Sequence, residues 1–220
     1  MKRVLAKFIK IIAIYLLFVS SVCAEKLMVF DFTEEEINSL EVRKVRGADA
    51  KTVYSIGNNE NGSYLKAVAE NAASGVGKEI KINLDKTPFI NITWKIEKDL
   101  KGIKENTKKG HDFAARVFVI KKTGATPLSN RAINYVFSSN SNVGETWPSP
   151  YTKKSIDSVL ASTKSNLNEW VTVRANVKED FKKFHDLDVE ELSGIAIMAD
   201  TDNSKLTAVS YYQNIFFSSE

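Results

Sequence analysis

Polar and apolar positions alternate with a period of two over much of this chain, the pattern of strands that bury one face. The clearest case is Ile90-Asn91-Ile92-Thr93-Trp94-Lys95-Ile96-Glu97, with four large apolar side chains on one face and four polar ones on the other. Similar runs cover 28–32, 52–56, 64–69, 79–84, 113–120, 132–137, 170–175, 195–199 and 206–217, which predicts about ten strands. Turn chemistry separates many of them, at 57–62, Lys122-Thr123-Gly124, Ser139-Asn140-Ser141-Asn142 and Asp200-Thr201-Asp202-Asn203-Ser204. Short strands punctuated in this way predict an all-β chain folded as an antiparallel sandwich or barrel. Helical spacing appears twice. Val177, Phe181 and Phe184 would pin a short helix over 178–185, and Thr33 would cap a turn over 33–40 that is rich in Glu34, Glu35 and Glu36. No repeat or linker interrupts 25–220, which is therefore expected to be one domain. The longest irregular stretch, 138–154, holds Gly144, Trp147, Pro148 and Pro150; long loops in compact domains are often functional.

The N-terminus changes the picture of where the chain works. Basic Lys2, Arg3, Lys7 and Lys10 precede an apolar run from Ile11 to Val19 and a small-residue end, Ser20-Ser21-Val22-Cys23-Ala24. That is the layout of a secretory signal peptide. The run is well short of the about 20 residues that a spanning helix needs. The expectation is cleavage after Ala24, a periplasmic or secreted product, and no transmembrane segment in what remains. Cys23 raises lipidation as the alternative, although Val22 and Ser20 depart from a lipoprotein signal. Cleavage after Ala24 removes the only cysteine, and a disulfide-free exported domain of this size suits a bacterial envelope. The leader also carries four of the 31 basic residues and none of the 27 acidic ones, so 27 of each remain. A net charge near zero with no basic stripe excludes the footprint of a nucleic-acid binder.

Catalytic signatures are absent. His111 and His185 are the only histidines and neither has a partner at metal-ligand spacing; no Gly-x-Ser-x-Gly, Gly-rich phosphate loop or His-Glu-x-x-His occurs. Both histidines are read as structural. Arg116 lies inside an apolar strand, where a buried guanidinium needs a carboxylate from Asp112, Asp180 or Asp200, either as a structural pair or as a ligand clamp. Asp200, Asp202 and Asn203 follow another apolar strand, and they either close a turn or contribute oxygens to a calcium ion. No other cofactor is indicated. Trp147 and Tyr151, among prolines, either form a platform for a sugar ring or, for Trp147, plug one end of the sandwich. Trp94 and Trp170 are assigned to packing.

Several segments resemble a bacterial family of exported proteins catalogued as domain of unknown function 3047. They are Trp94; 111–119, with Ala-Ala-Arg-Val; 133–137; Trp170 through Arg174 to Asp180 and Phe184; and 194–203, with Asp-Thr-Asp-Asn. The resemblance implies a β-sandwich of jelly-roll type, similar to carbohydrate-binding modules, and no established activity. His111 stands where such relatives often carry an acidic residue, so a two-carboxylate site built on Asp112 would be incomplete here. The leading functional expectation is a non-catalytic binder of a carbohydrate or other polar ligand through Arg116, Asp112, Trp147, Tyr151 and Asp180. A glycan-acting enzyme using Asp112, Asp180, Asp200 and Asp202 is the first alternative. A structural partner of another envelope protein is the second.

Overall fold

The strand that the sequence marks most clearly shows how the molecule is built. Ile90, Ile92, Trp94 and Ile96 are fully buried, while Thr93 and Lys95 between them are half-exposed and Glu97 is exposed. This is a computed structural model that describes residues 24–220. Residues 1–23 lie outside the described residues, and with them the readings on cleavage and on Cys23. In chain order the elements are β1 (Lys26–Phe30), α1 (Glu34–Ser39), β2 (Arg43–Lys44), β3 (Val53–Asn59), β4 (Gly62–Glu70), β5 (Ala73–Asn83), β6 (Phe89–Lys98), β7 (Ala115–Lys121), β8 (Arg131–Ser138), β9 (Thr146–Ser149), β10 (Thr152–Ser162), α2 (Thr163–Asn166), β11 (Val171–Asn176), α3 (Val177–His185), β12 (Glu191–Asp200) and β13 (Thr207–Ser218).

Two sheets face each other. One runs β11-β6-β13-β4-β3, with β1 sharing an edge of β13 end to end with β4; the other runs β2-β5-β12-β7-β8-β10-β9. The chain crosses between them at β1 to β2, β2 to β3, β4 to β5, β5 to β6, β6 to β7, β10 to β11, β11 to β12 and β12 to β13. Their inner faces make the core: Ile90, Ile92, Trp94, Tyr212 and Phe217 from one sheet meet Val117, Val119, Tyr135, Phe137, Ile195 and Ile197 from the other. Trp94 rests on Phe137 with ring centres 5.5 Å apart. The fold is thus the all-β sandwich that the alternation predicts.

Two of the three helices, α1 and α3, are where their spacing puts them, and the four-residue α2 was not expected. Thr33 caps α1 by accepting from Glu36 N at 3.2 Å. Asn176 caps α3 by accepting from Glu179 N at 3.2 Å, and Val177 and Phe181 are buried beneath it. No helix among the described residues is long and apolar enough to cross a membrane.

Three strands go beyond the expected set: β2, β9 and β10. The stretch 138–154 is therefore not one irregular loop, because it contains β9 and the start of β10, paired with each other. Pro148 lies in β9 at the sheet's edge, where a residue without an N–H is tolerated. β10 escapes the alternation because polar Asp157, Ser158 and Ser162 are buried on it beside Val159 and Ala161. It also runs parallel to β8, the one parallel pairing between named strands; all the others are antiparallel. β9 turns back along the edge, so β10 re-enters the sheet in the direction of β8.

Candidate functional site: a polar cleft over the seven-stranded sheet

The side chains that alternate with the core on the central strands of this sheet point away from it. On β12 these are Met198 and Asp200, on β7 Arg116 and Phe118, and on β8 Asn134, with Asp157 paired beside Asn134 on β10. An outer sheet face is usually solvated, yet Arg116, Asn134, Asp157 and Asp200 are each at most 4% exposed. Arg116, Asn134 and Asp200 form the floor of a cleft of about 400 Å³ whose walls include His111, Ser155, Tyr151, Thr152, Asp202 and Asn203, and Asp157 lies beneath the lining, bonded to Asn134 and His111.

Buried polar groups are stable only when they hold one another. Arg116 donates from Nη2 to Asp200 Oδ2, and Asp200 Oδ1 accepts from Phe113 N at 3.1 Å. The guanidinium also lies between the rings of Phe113 and Phe118, 5.2 and 5.3 Å from their centres, in cation–π contact. On the far side His111 Nε2 is 2.8 Å from Asp157 Oδ2, and Asp157 Oδ1 accepts from Asn134 Nδ2 at 2.6 Å.

The rim is fixed by Asp112. Its Oδ1 accepts from Asn203 N (3.2 Å) and Asn203 Nδ2 (2.8 Å), and its Oδ2 accepts from Ser204 N (2.5 Å). Asn203 Oδ1 in turn accepts from the Tyr151 hydroxyl at 2.6 Å, while the Tyr151 ring meets His111 edge-on at 5.5 Å. Tyr151 remains 56% exposed, so the ring is held at its tip and reaches solvent, with Lys108 Nζ 5.9 Å from its centre.

Of the residues singled out from sequence, Arg116, Asp112, Asp200, Asp202, Asn203 and Tyr151 come together here. Two do not. Asp180 sits on α3 and accepts from the Tyr135 hydroxyl at 2.8 Å, on the inner side of β8 and so across the sheet from the cleft. Trp147 stacks on Phe113 at 6.5 Å beside Val136 and Val159, next to the cleft but not lining it. His111, Asn134 and Asp157 are site residues that sequence reasoning missed. The signal for Asp157 was a lone acidic residue among buried-strand residues, visible only once β10 is recognised as a strand.

Asp112, Asp200 and Asp202 each bring one carboxylate oxygen within 4.8 Å of the others. Burial pushes Asp200 from 3.8 up to about 8, with Arg116 opposing and Asp112 reinforcing the rise; burial and Asp112 also raise Asp202. The raised Asp200 value fixes the sign of a pH effect. The folded chain keeps a proton that the unfolded chain releases near pH 3.8, so this contribution to stability is fully present below that pH and is lost as pH rises through about 8. Burial lowers the His185 value below 6.5, so that group has finished titrating above neutrality. Denaturant titrations should therefore show lower stability at pH 8.5 than at pH 7, with the slope flattened in Asp200→Asn; a rise over that interval contradicts the assignment.

The same three carboxylates are the acidic part of the calcium reading. Both oxygens of Asp112 and both of Asp200 already accept from protein donors, and Asp202 accepts only a long bond from Asn203 Nδ2 at 3.5 Å, so few lone pairs in the cluster remain for an ion. Calcium takes six to eight oxygens. The expected melting temperature is therefore the same in chelator and in excess calcium, and a rise of several degrees with calcium would establish the ion site instead, by mass action on the folded state.

The family described as Protein of unknown function (DUF3047) matches this chain over residues 38–216. The chain belongs to that family. No curated protein matches this DUF3047 chain. Among solved structures it is similar to the family 30 carbohydrate-binding module of a cellulosomal cellulase of Clostridium thermocellum. That likeness has 7% identity over 89% of this chain and 98% of the module, with a TM-score of 0.51. A meso-active, thermostable cellulase derived from that of Rhodothermus marinus follows, with 10% identity over 89% of this chain and 100% of the other and a TM-score of 0.45. The first likeness agrees with the jelly-roll sandwich that the resemblance implies.

Proposed function

We propose that this DUF3047 protein is an exported, non-catalytic domain that binds a carbohydrate in the polar cleft. The observation that carries the reading is the cleft itself: a floor of buried Arg116, Asp200 and Asn134, with Arg116 bonded to Asp200 and Asn134 to Asp157 beneath, under an exposed Tyr151 ring whose hydroxyl is pinned. Its volume lies in the range of small-ligand sites. Fixed polar groups suit the hydroxyls of a sugar, and a fixed aromatic face suits the apolar face of its ring; neither has to be ordered on binding. The shared fold with a carbohydrate-binding module is in keeping with this, as are the sequence features of the leader.

A glycan array followed by titration calorimetry tests it. Wild type should bind a glycan without releasing reducing ends, and Tyr151→Ala should bind roughly tenfold more weakly, a loss of about 1.4 kcal/mol. No glycan affinity would favour the protein-partner reading. One observation favours an enzyme as the second reading: Asp200, pushed up to about 8, stands beside Asp202, which is the disparity that general acid–base pairs use. Product release that disappears in Asp200→Asn or Asp202→Asn would decide for it.

A further inference from the structure

Asn203 lines two clefts at once. Beyond it from the polar cleft lies a second one of about 430 Å³, lined by Lys101, Lys104, Thr107 and Lys109 together with Ser204 and Leu206. The two differ in charge. The first mixes Arg46 and Arg116 with Asp200 and Asp202, whereas the second carries lysines and no acidic side chain. Among the described residues Lys104 and Lys109 have no ion-pair partner, and Lys101 reaches Asp99 only at 3.6 Å.

The segment 101–110 is shaped to present this charge. Its one acidic residue, Glu105, is buried and turned inward, where it accepts from Ser139 N (2.8 Å), Asn140 Nδ2 (3.2 Å) and the Ser138 hydroxyl (2.5 Å). Asn140 Oδ1 accepts from Gly102 N at 2.8 Å and ties down the start of the segment. At its other end Lys108 O is 3.2 Å from the Tyr151 hydroxyl, which joins the lysine loop to the rim of the polar cleft. With 27 basic and 27 acidic residues after position 24, the positive patch is local and not a reflection of overall charge. A pinned loop offers its charges without the ordering cost of a mobile one.

We propose that the ligand of this protein is an acidic glycan, with its hydroxyl-bearing ring in the polar cleft against Tyr151 and its carboxylate or sulfate groups among Lys101, Lys104 and Lys109. This rests on the carbohydrate-binding reading and narrows it. Asn203, shared by both clefts, is the point over which the chain of the ligand passes.

The test compares wild type with the double variant Lys104→Glu/Lys109→Glu by titration calorimetry. The probes are a panel of oligouronides and sulfated oligosaccharides, each beside its carboxyl-reduced or desulfated counterpart. The acidic member of a pair should bind roughly tenfold tighter than its neutral counterpart, as two partly exposed ion pairs allow. Its affinity should fall as salt is raised, and the double variant should lose the preference while keeping the wild-type melting temperature. Preference for the uronides or for the sulfated members identifies the acidic group. Equal affinity for both members of every pair, or an unchanged preference in the double variant, overturns the acidic assignment and leaves carbohydrate binding standing. No affinity for any member overturns both.

Discussion

Arg116→Ala is expected to lower the unfolding free energy by about 3 to 5 kcal/mol at pH 8.5 and by less at pH 6. The guanidinium is almost wholly buried between Phe113 and Phe118, and its partner Asp200 is 1% exposed with its other oxygen already bonded to Phe113 N. Removing the arginine leaves a buried carboxylate facing Asp112 and Asp202. Above about pH 8 Asp200 is ionised in the native protein, so the variant must either hold that charge unpaired or take up a proton against the solution. At pH 6 Asp200 already carries the proton, and the loss reduces to packing and a hydrogen bond. Denaturant titrations at the two pH values check this. A loss below about 1 kcal/mol at both, the range of exposed pairs, would mean that the guanidinium is free and the floor of the cleft is not a bonded unit.

Trp147→Ala carries the other large effect, and it separates two aromatics that the sequence places together. Trp147 is half-buried against Phe113, Val136 and Val159, so its loss opens a gap in a small cluster beneath the edge strand. We expect a cost of about 2 to 4 kcal/mol, toward the lower end for a large aromatic because part of the ring is already solvated. Tyr151→Ala should cost far less stability, since its ring is largely exposed and its hydroxyl bonds are at the surface. The binding effects should be reversed, with Tyr151→Ala weakened and folded Trp147→Ala close to wild type. Equal binding losses in both would place Trp147 in the site.

The fold was legible in the sequence wherever a strand buries one face. Ile90 to Ile96 announces β6 because water on one side and hydrocarbon on the other force the alternation. It was illegible where both faces are covered, as on β10, whose buried Asp157 and Ser158 break the pattern. Arg116 stood out because a charge inside an apolar strand has to be paired, and Asp200 was among its named candidates. Asp157 and Asn134 did not stand out, because their meaning comes from β8 and β10 lying side by side in parallel register, a long-range pairing that local pattern does not encode. His111 had no neighbour in sequence to suggest a role; its partner is 46 residues away. Asp180 and Trp147 illustrate the converse. Residue type and loop context made them candidates, and contacts with Tyr135 and Phe113 hold them outside the cleft lining.

The most direct measurement is a titration of the isotopically labelled protein with the best-binding glycan, followed by amide chemical shifts. The largest shifts should fall on Tyr151, Thr152, Ser155, Met198 and Asn203, with the outer face of the other sheet, at Tyr64, Trp170 and Tyr211, unmoved. Saturable shifts centred on that opposite face, with the cleft amides unchanged, would contradict the assignment of the cleft as the binding site.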